Sequence, residues 1–461
     1  MVEFHLNANS KPAIPKYIIY SAIIFAVFRL VFSFCLELNI IQYDGLGIKL
    51  NPNQNTVHLI KIISDNNKTL KMNTDEERNY SIAENHFQKN GYTVYDIKNK
   101  MFRKTAYHGS FTVFLYEWLI KNLADFDVFI LGVLCLSSVF HFFELLAFYC
   151  IISNLTNKKY NDLGFYLYAL FPSVIFFIGA LFAYENIALS CLVIGVYLLY
   201  TLIKKQKNYL STVCFVLLIA IISICLRAQT LPLWVLIFLF NIFFSKYSNR
   251  VSQVIIFGLF ILLVFFAYIP VLQKNKSMFG EYVISTQFGY ELYQGANPMA
   301  RGSWDGSGKT IEKALVDVKD KASLSELDIS HLLKKKALTW IFNHPKDYTV
   351  LLARKLAIFF LPKNYEVLPF SSLYNPVNTI VYLGFILFVF SQFKKPEFSR
   401  VNALLLAPII GSLTLSLIFF TGYRWRYYAE PFMIILSITW LQSFIQNKKI
   451  RNRSKHVISQ K

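Results

Sequence analysis

Charged residues are scarce in this sequence of 461 amino acids, and acidic residues are scarcer than basic ones. Asp, Glu, Lys and Arg make up 16% of the chain, whereas about a quarter is usual for a soluble protein. Hydrophobic residues reach 55%, and 47 Lys and Arg outnumber 27 Asp and Glu, for a net charge of +20. So apolar a composition excludes an intrinsically disordered chain. Nucleic-acid binding, a common role of basic proteins, also fits it poorly, and we expect no nucleic-acid partner.

Cysteine is sparse as well, and its spacing matches no zinc motif. All six cysteines lie within or at the edges of apolar segments, so no disulfide is expected in the polar loops. The sequence also lacks a P-loop and a dinucleotide-binding glycine pattern. The histidines show no metal-ligand spacing. The sequence therefore predicts no metal site and requires no cofactor, although a divalent metal near the acidic pair described below would be compatible with it.

Long apolar segments are what the sequence has in abundance. A membrane-spanning helix needs about 20 mostly apolar residues, and ten segments reach or approach that length. They are Tyr17–Leu38, Val128–Ile152, Asp162–Gly179, Asn186–Ile203, Leu210–Leu226, Leu231–Phe244, Val251–Leu272, Val377–Phe393, Val401–Phe420 and Pro431–Ile445. An eleventh, Tyr348–Leu361, is interrupted by Arg354 and Lys355, so we predict an interfacial or re-entrant segment. The predicted fold is an all-α polytopic membrane protein with about ten transmembrane helices in one membrane-embedded domain, residues 1–461.

The positive charges indicate how these segments are oriented. Cytoplasmic loops are enriched in Lys and Arg, and basic clusters occur in alternate short loops and in the C-terminal tail. Both termini are therefore predicted in the cytoplasm. Two loops too long for simple connectors then fall on the outer face: residues 39–127, the first long loop, and residues 273–375, the second long loop. Loops of this length usually carry function. We expect a multi-pass protein of a bacterial inner (plasma) membrane with its active site outside.

The clearest local pattern lies in the first long loop, where Thr74–Phe87 is predicted to form an amphipathic helix. Thr74 and Glu77 match the S/T-x-x-E capping box, which places Asp75 and Glu76 in the first helical turn. Acidic residues there stabilise any helix by complementing its dipole, and this is the simplest interpretation of the pair. In the alternative interpretation, Asp75 is a catalytic base held at the outer membrane surface, with Glu76 as its positioning partner or substitute.

The first long loop resembles that of integral-membrane glycosyltransferases of the GT-C type, in particular the protein O-mannosyltransferase and lipid A aminoarabinose transferase-like group. The matching positions are Asp75-Glu76, Tyr80, Ile82-Ala83, Gly91-Tyr92, Arg103 and Tyr107. Later segments resemble further motifs of the group: Phe171-Pro172, Ala183–Glu185, Leu226-Arg227, Gly289–Gly302, Asn343–Lys355 and Tyr423–Pro431. The chain departs from many relatives by having Lys104–Ala106 and His108 where prolines would stand.

The resemblance implies that a sugar moves from a polyprenyl-phosphate donor to an acceptor hydroxyl, with inversion and with Asp75 as the base. A phosphate leaving group needs fixed cations where negative charge accumulates, and arginine can bind phosphate oxygens in a bidentate manner. The candidate phosphate-binding residues are Arg103, Arg227, Lys355, Arg424 and Arg426. The candidates for positioning the substrates are Glu185, Tyr107 and Asn297. The implied partners are the lipid-linked sugar, an acceptor that is a protein, lipid or glycan, and membrane lipid.

Other roles and functions stay open at this stage. The arginines at positions 424 and 426 would also suit anchoring in an aromatic belt, and Arg227 and Lys355 would suit snorkelling to lipid head groups. The other functions are an O-antigen ligase or polymerase, and a lipid or glycan transporter. The acidic pair argues against the ligase. A transporter favours polar residues near mid-membrane, whereas we expect the ionisable residues to gather at the outer ends of the helices.

Overall fold

The computed structural model describes residues 14–37, 41–44, 47–50, 75–89, 91–96, 101–106, 110–122, 126–171, 173–174, 183–204, 209–244, 247–303, 309–316, 318, 324–360, 371–392 and 399–459. Within these residues the chain is almost entirely helical. The helices are α1 (Lys16–Glu37), α2 (Asp75–Phe87), α3 (Ser110–Asn122), α4 (Phe126–Ser153), α5 (Lys158–Ala169), α6 (Ala183–Lys204), α7 (Tyr209–Leu226), α8 (Leu231–Phe243), α9 (Tyr247–Phe279), α10 (Gln287–Gly295), α11 (Lys309–Ala314), α12 (Glu326–Asn343), α13 (Pro345–Phe360), α14 (Ser371–Gln392), α15 (Arg400–Ile418), α16 (Tyr423–Tyr427) and α17 (Glu430–Ser459).

Two antiparallel hairpins are the extended elements in the described part of the first long loop. Strand β1 (Ile41–Asp44) pairs with β2 (Gly47–Leu50), and β3 (Thr93–Asp96) pairs with β4 (Met101–Lys104). Each hairpin is a separate two-stranded sheet. An isolated hairpin of this size is only marginally stable in water, so β3 and β4 depend on their contacts with neighbouring helices.

Five of the described helices are long and apolar enough to cross a membrane. They contain Leu131–Ser153, Tyr184–Ile203, Tyr209–Leu226, Arg250–Phe279 and Arg400–Ile418. Many large apolar side chains of α9 are exposed, as expected of a helix that faces lipid rather than water. The protein is thus an integral membrane protein with a helical fold, as predicted. All ten predicted spans overlap described helices, but their number stays a prediction, and Tyr348–Leu361 coincides with α13.

The helical bundle is closely packed around α6. This helix packs against α4 and α7, while α8 packs against α15 and α14 against α17. Two glycines permit close approaches that no other residue would allow. A Cβ on Gly195 would stand 2.2 Å from the ring of Trp234, and one on Gly295 would stand 1.6 Å from the carbonyl oxygen of Phe419. The bundle therefore has little room to rearrange around the polar residues that it buries.

The predicted amphipathic helix of the first long loop is confirmed as α2. It begins at Asp75, as the capping box predicts; Thr74 lies outside the described residues. Its apolar face buries Ile82 and Ala83 in a small core of its own, together with Tyr92 and residues of α3. This core fixes α2 and the β3–β4 hairpin against α3, so the start of α2 belongs to a packed unit rather than to a loose loop.

The two long loops are joined by Glu326, the first residue of α12. Its Oε2 accepts hydrogen bonds from the backbone N–H of Ala106 and from the Thr286 hydroxyl, both at 2.8 Å. Its Oε1 accepts from the Thr105 hydroxyl at 3.1 Å and from Arg78 at 3.4 Å. One carboxylate thus accepts hydrogen bonds from both long loops.

Replacing Glu326 with Ala is expected to loosen both loops at once. The Ala106 N–H and the Thr286 hydroxyl would lose their acceptor, which costs about 1–3 kcal/mol for a buried donor. Hydrogen exchange in peptides covering residues 101–106 and 284–290 should accelerate about tenfold, since 1.4 kcal/mol corresponds to that factor. Glu312→Ala, an exposed glutamate of α11, is the matched control. Equal protection in both variants would contradict the assignment of Glu326 as the link.

Candidate active site

Glu185, in the first turn of α6, is fully buried, and two arginines from other segments converge on it. Its Oε1 lies 3.1 Å from the guanidinium of Arg227 and 3.7 Å from that of Arg424. Arg227 directly follows α7, and Arg424 lies in α16. Neither oxygen of Glu185 makes a hydrogen bond of good geometry to another described residue, so its interaction with the arginines is mainly that of opposite charges. Two cations thus lie around one carboxylate.

The two arginines differ in how accessible they are. The side chain of Arg227 is only 10% exposed, whereas that of Arg424 is 31% exposed. Arg227 also donates to the Tyr184 hydroxyl at 3.2 Å and lies over the Tyr184 ring. Burial acts to lower the pKa of Arg227, but the charge of Glu185 outweighs it and raises the pKa above its usual range. Arg227 is therefore a fixed cation, and Arg424 is the more exposed of the two.

A cavity of about 50 Å³ lies directly beside Arg227. Its polar lining residues include Asn79, Thr112, Tyr184, Arg227, Gln229, Tyr268, Ser285 and Gln287. Asn79 belongs to α2 and follows Asp75 by one helical turn, so the two residues lie on the same face of that helix. The amide oxygen of Asn79 is buried and has no hydrogen-bond partner among the described residues. The cavity thus joins the start of α2 to the arginine cluster.

The other predicted site residues lie away from Glu185, or their side chains fall outside the described residues. The side chains of Asp75 and Glu76 and all of Tyr107 lie outside the described residues. Arg103 lines a separate cleft between the long loops. The Asn297 amide is engaged in its own turn, where it donates to the Tyr293 carbonyl at 2.6 Å and accepts from the Met299 N–H at 2.7 Å.

Two more of the predicted cations contact backbone carbonyls. Arg426 donates to the carbonyl of Ile358 in α13 at 3.0 Å. The ammonium of Lys355 donates to the carbonyls of Leu417, at 2.8 Å, and of Phe419, which both lie at the end of α15. A hydrogen-bond donor at this position satisfies carbonyls that a helix end leaves unpaired. Lys355 and Arg426 therefore fasten α13 against α15 and α16, and only Arg227 and Arg424 of the predicted cations meet at Glu185.

Lys355 makes the stability of this region dependent on pH. Burial lowers its pKa from 10.5 to about 7. Below pH 7 the lysine is charged in both the folded and the unfolded chain. Between pH 7 and 10.5 only the unfolded chain keeps the proton, so the free energy of unfolding should rise with pH, by up to about 1.4 kcal/mol per pH unit. We expect the unfolding temperature of the wild type, relative to Lys355→Met, to rise between pH 7 and 9.5. The exposed Lys335→Met should show no such trend, and a flat difference for Lys355→Met would contradict the assignment.

Four ionisable residues in apolar helices were not identified from the sequence: Arg29 in α1, His141 and Glu144 in α4, and Glu430 at the start of α17. All four are buried. The expectation that ionisable residues gather at the outer ends of the helices is wrong for the first three of them. A charge within an apolar run is costly and usually has a function, and the i, i+3 spacing of His141 and Glu144 is a signal that would have identified the pair.

Two of these buried residues, Arg29 and Glu430, are connected to the site through the Tyr423–Glu430 segment. Tyr427 donates to the amide oxygen of Asn186, next to Glu185, at 2.7 Å, and a side-chain hydrogen bond links it to Arg29. Glu430 accepts hydrogen bonds from Ser173 and, at 2.9 Å, from Tyr382. The segment that carries Arg424 is therefore held from α1, α6 and α14.

Solved structures that are similar to this chain include two archaeal oligosaccharyltransferases. An archaeal oligosaccharyltransferase, AglB from Archaeoglobus fulgidus, in complex with an inhibitory peptide and a dolichol-phosphate, is 13% identical over 95% of this chain and 52% of its own, with a TM-score of 0.47. An Archaeoglobus fulgidus oligosaccharyltransferase tethered to an acceptor peptide containing the NVT sequon is 14% identical over 93% and 50%, with a TM-score of 0.48. The chain spans about half the length of these enzymes.

Both neighbours are described as oligosaccharyltransferases. No protein-family model matches the chain, and no curated protein sequence matches it. Among the described residues, no group of three or more His, Cys, Asp or Glu is arranged to hold a metal ion.

Proposed function

We propose that this protein is a membrane glycosyltransferase that moves a sugar from a polyprenyl-phosphate donor to an acceptor hydroxyl on the outer membrane face, with inversion. The observation that supports it most is the convergence of Arg227 and Arg424 on Glu185 beside a cavity bounded by α2. Three distant parts of the sequence supply these groups, and α2 begins with the candidate base Asp75. The cation site thus lies beside a cavity that is also lined by Asn79, one helical turn from the candidate base.

The arginine cluster suits the departure of a phosphate. Breaking the bond between the anomeric carbon and the phosphate oxygen leaves negative charge on that oxygen, and fixed cations nearby lower the barrier. Glu185 neutralises only one of the two guanidinium groups and holds both in place. The partly exposed Arg424 would contact the phosphate first, with Arg227 behind it. No strong general acid is required, because a phosphate is already stable as an anion.

The base would act from the opposite side of the cavity. Inversion needs the acceptor oxygen to attack the face of the sugar that points away from the phosphate, so base and cations should lie on opposite walls. Asp75, one turn from the cavity-lining Asn79, is our candidate for taking the acceptor's proton. The Asn79 amide oxygen, which accepts no hydrogen bond from a described residue, would accept one from a hydroxyl of the sugar or of the acceptor.

The test is mass spectrometry of glycolipids and surface glycans in a deletion strain, with and without the wild-type gene restored. We expect one sugar mass to disappear on deletion and to return with the wild type, and the missing mass identifies the sugar. Its donor lipid should accumulate at the same time. Unchanged glycans in the deletion strain would contradict the proposal.

A glycan or lipid transporter is the second candidate function, and the buried charges of α1 and α4 favour it. Polar groups inside membrane helices often mark transport pathways. However, Glu144 accepts hydrogen bonds from Tyr168 and, at 2.7 Å, from Ser190, and it lies 3.0 Å from His141 Nδ1. A fully satisfied network of this kind rigidifies a core.

An experiment on intact cells distinguishes the two functions. Deletion of a transferase should leave the sugar-lipid in the outer leaflet, where periodate added to the cells can oxidise it. Deletion of a transporter should leave it protected in the inner leaflet.

A further inference from the structure

Two glutamines that line the cavity beside Arg227 are held by one buried carboxylate. Gln229 lies in the short 3-10 helix that follows Arg227, and Gln287 is the first residue of α10. The Nε2 of Gln229 donates to Oε1 of Glu291 at 3.0 Å, and the Nε2 of Gln287 donates to the same oxygen at 2.6 Å. Glu291 therefore ties together two wall residues from distant parts of the chain.

The chemistry of Glu291 sets the orientation of both amides. An ionised carboxylate can only accept hydrogen bonds, whereas a glutamine amide donates through its nitrogen and accepts through its oxygen. An amide that turned its oxygen towards Glu291 would bring two acceptors together with no hydrogen between them. Each glutamine therefore keeps its nitrogen on the carboxylate. Neither amide oxygen accepts a hydrogen bond from another residue that the structure describes.

Two hydroxyl groups of the cavity wall are also committed as donors. The Thr112 hydroxyl donates to the carbonyl of Leu226, and the Tyr268 hydroxyl donates to the carbonyl of Ile224, both at 3.1 Å. Because each hydroxyl has a single hydrogen, what these oxygens can still offer is their lone pairs. The wall of the cavity is therefore rich in acceptors, and it suits a ligand that brings hydrogens of its own.

The charge of the lining indicates which donors these are. No described residue of the lining is acidic, so an ammonium group would be buried without a carboxylate to pair with, which is costly. A phosphate or carboxylate has no hydrogen to give to the acceptors at neutral pH. A neutral hydroxyl meets both conditions. The rings of Phe111 and Tyr184 add apolar wall, as in ligand pockets generally, and a sugar ring combines hydroxyl groups with apolar C–H faces.

The size of the cavity limits how much of a ligand it can hold. Its volume is about 50 Å³, and one water needs about 10–15 Å³. The cavity therefore has room for a few waters, or for the hydroxyl-bearing edge of one sugar ring in their place. A longer stretch of glycan would have to lie outside it.

We propose that the cavity binds the hydroxyl-bearing edge of the transferred sugar. The amide oxygens of Gln229 and Gln287 accept hydrogen bonds from its hydroxyls, and Glu291 is the positioning residue that keeps these oxygens available. The identification of the bound sugar as the transferred one rests on the proposed transferase function, whereas the preference of the cavity for a neutral hydroxyl-bearing ring does not. A sugar in this place would lie beside Arg227, one of the two cations proposed to bind its phosphate.

The experiment measures the binding of monosaccharides to the full-length protein in nanodiscs of phosphatidylcholine, by saturation-transfer NMR. The probes are the methyl glycosides of glucose, galactose and mannose. Each is compared with its fully O-methylated form, which keeps the ring and its oxygens but has no hydroxyl hydrogen. We expect at least one free glycoside to bind the wild type at least tenfold more tightly than its O-methylated form. The ratio of these two affinities is the readout, because a general loss of structure would weaken both forms alike.

Three variants test the residues. The double variant Gln229→Leu/Gln287→Leu should lower the ratio about tenfold, the effect of losing two neutral hydrogen bonds. Glu291→Gln keeps the size of the side chain but lets it donate as well as accept, so both amides are free to turn, and the ratio should fall here too. Gln88→Leu is the matched control, since it removes an exposed glutamine that also donates to a glutamate, Glu84; its ratio should equal that of the wild type.

A wild type without preference for any free glycoside, an unchanged ratio in the double variant, or an equal fall in the control would overturn the proposal. An unchanged ratio in Glu291→Gln would overturn the positioning role of Glu291. If the double variant unfolds early, Gln287→Leu alone carries the test. Glycoside binding by a protein whose deletion changes no glycan would refute the transferase function alone. A sugar missing on deletion, without glycoside preference in the purified protein, would refute the role of the cavity alone.

Discussion

Asp75→Asn is expected to lower the rate of sugar transfer by about 10²- to 10⁴-fold, the usual contribution of a general base. The substitution keeps the size and polarity of the side chain but removes its ability to take the acceptor's proton. Helix α2 should persist, because losing one first-turn charge costs only about 0.3–1 kcal/mol. The measurement is mass spectrometry of surface glycans in the deletion strain complemented with the variant at matched expression, where the missing sugar should stay missing.

Glu84→Gln is the matched control for this prediction. Glu84 lies on the same helix, and its substitution removes one carboxylate from α2 without touching the first turn. It should restore the glycan as the wild type does. If Asp75→Asn restores it equally well, Asp75 serves the helix dipole alone, and the base has to be sought elsewhere in the first long loop, with Glu76 as the next candidate.

Replacing Glu185 with Ala is expected to destabilise the folded protein by about 3–5 kcal/mol. Removing one partner of a buried ion pair leaves the other charge uncompensated. The free-energy cost of that unpaired charge exceeds the stability that the intact pair contributes. Here the cost is increased because Arg227 and Arg424 would face each other without the carboxylate between them. Thermal unfolding of the purified protein in detergent, followed by tryptophan fluorescence at a fixed scan rate, should show a marked fall in the unfolding temperature.

A double-mutant cycle separates the ion pair from other effects of the substitution. Arg227→Met alone should also destabilise, and the double variant Glu185→Ala/Arg227→Met should be more stable than the sum of the single losses implies. Glu281→Ala removes an exposed carboxylate and should leave the unfolding temperature close to that of the wild type. Strict additivity of the two single effects would mean that Glu185 and Arg227 do not interact.

Much of the helical fold could be predicted from the sequence, for physical reasons. A segment in lipid has to satisfy all its backbone hydrogen bonds internally, so a long apolar run has few alternatives to a helix. The same holds locally for α2, where a capping box and an apolar periodicity both place the start near Asp75. Apolar length and capping are properties of contiguous residues, which is why a sequence displays them directly.

The candidate site could be predicted only in part, because its contacts join distant parts of the chain. The sequence identified Arg227, Lys355 and Arg424 as cations in unusual positions, but a cation suits a phosphate and a helix C-terminus equally well. Only the fold shows the contacts themselves: Lys355 contacts the end of α15, while Arg227 and Arg424 meet at Glu185. Arg29 was missed because a single charge does not prevent a long apolar segment from being recognised as a membrane span, and its partners lie in distant segments.

The Tyr423–Glu430 segment should transmit the effect of ligand binding at the site to other helices. Arg424 faces Glu185, Tyr427 contacts Asn186, and Glu430 contacts Tyr382, all within eight consecutive residues. A ligand that draws Arg424 away from Glu185 must strain the contacts of Tyr427 and Glu430 as well. Occupancy at the site would thereby reach α6 and α14 without any moving domain between them.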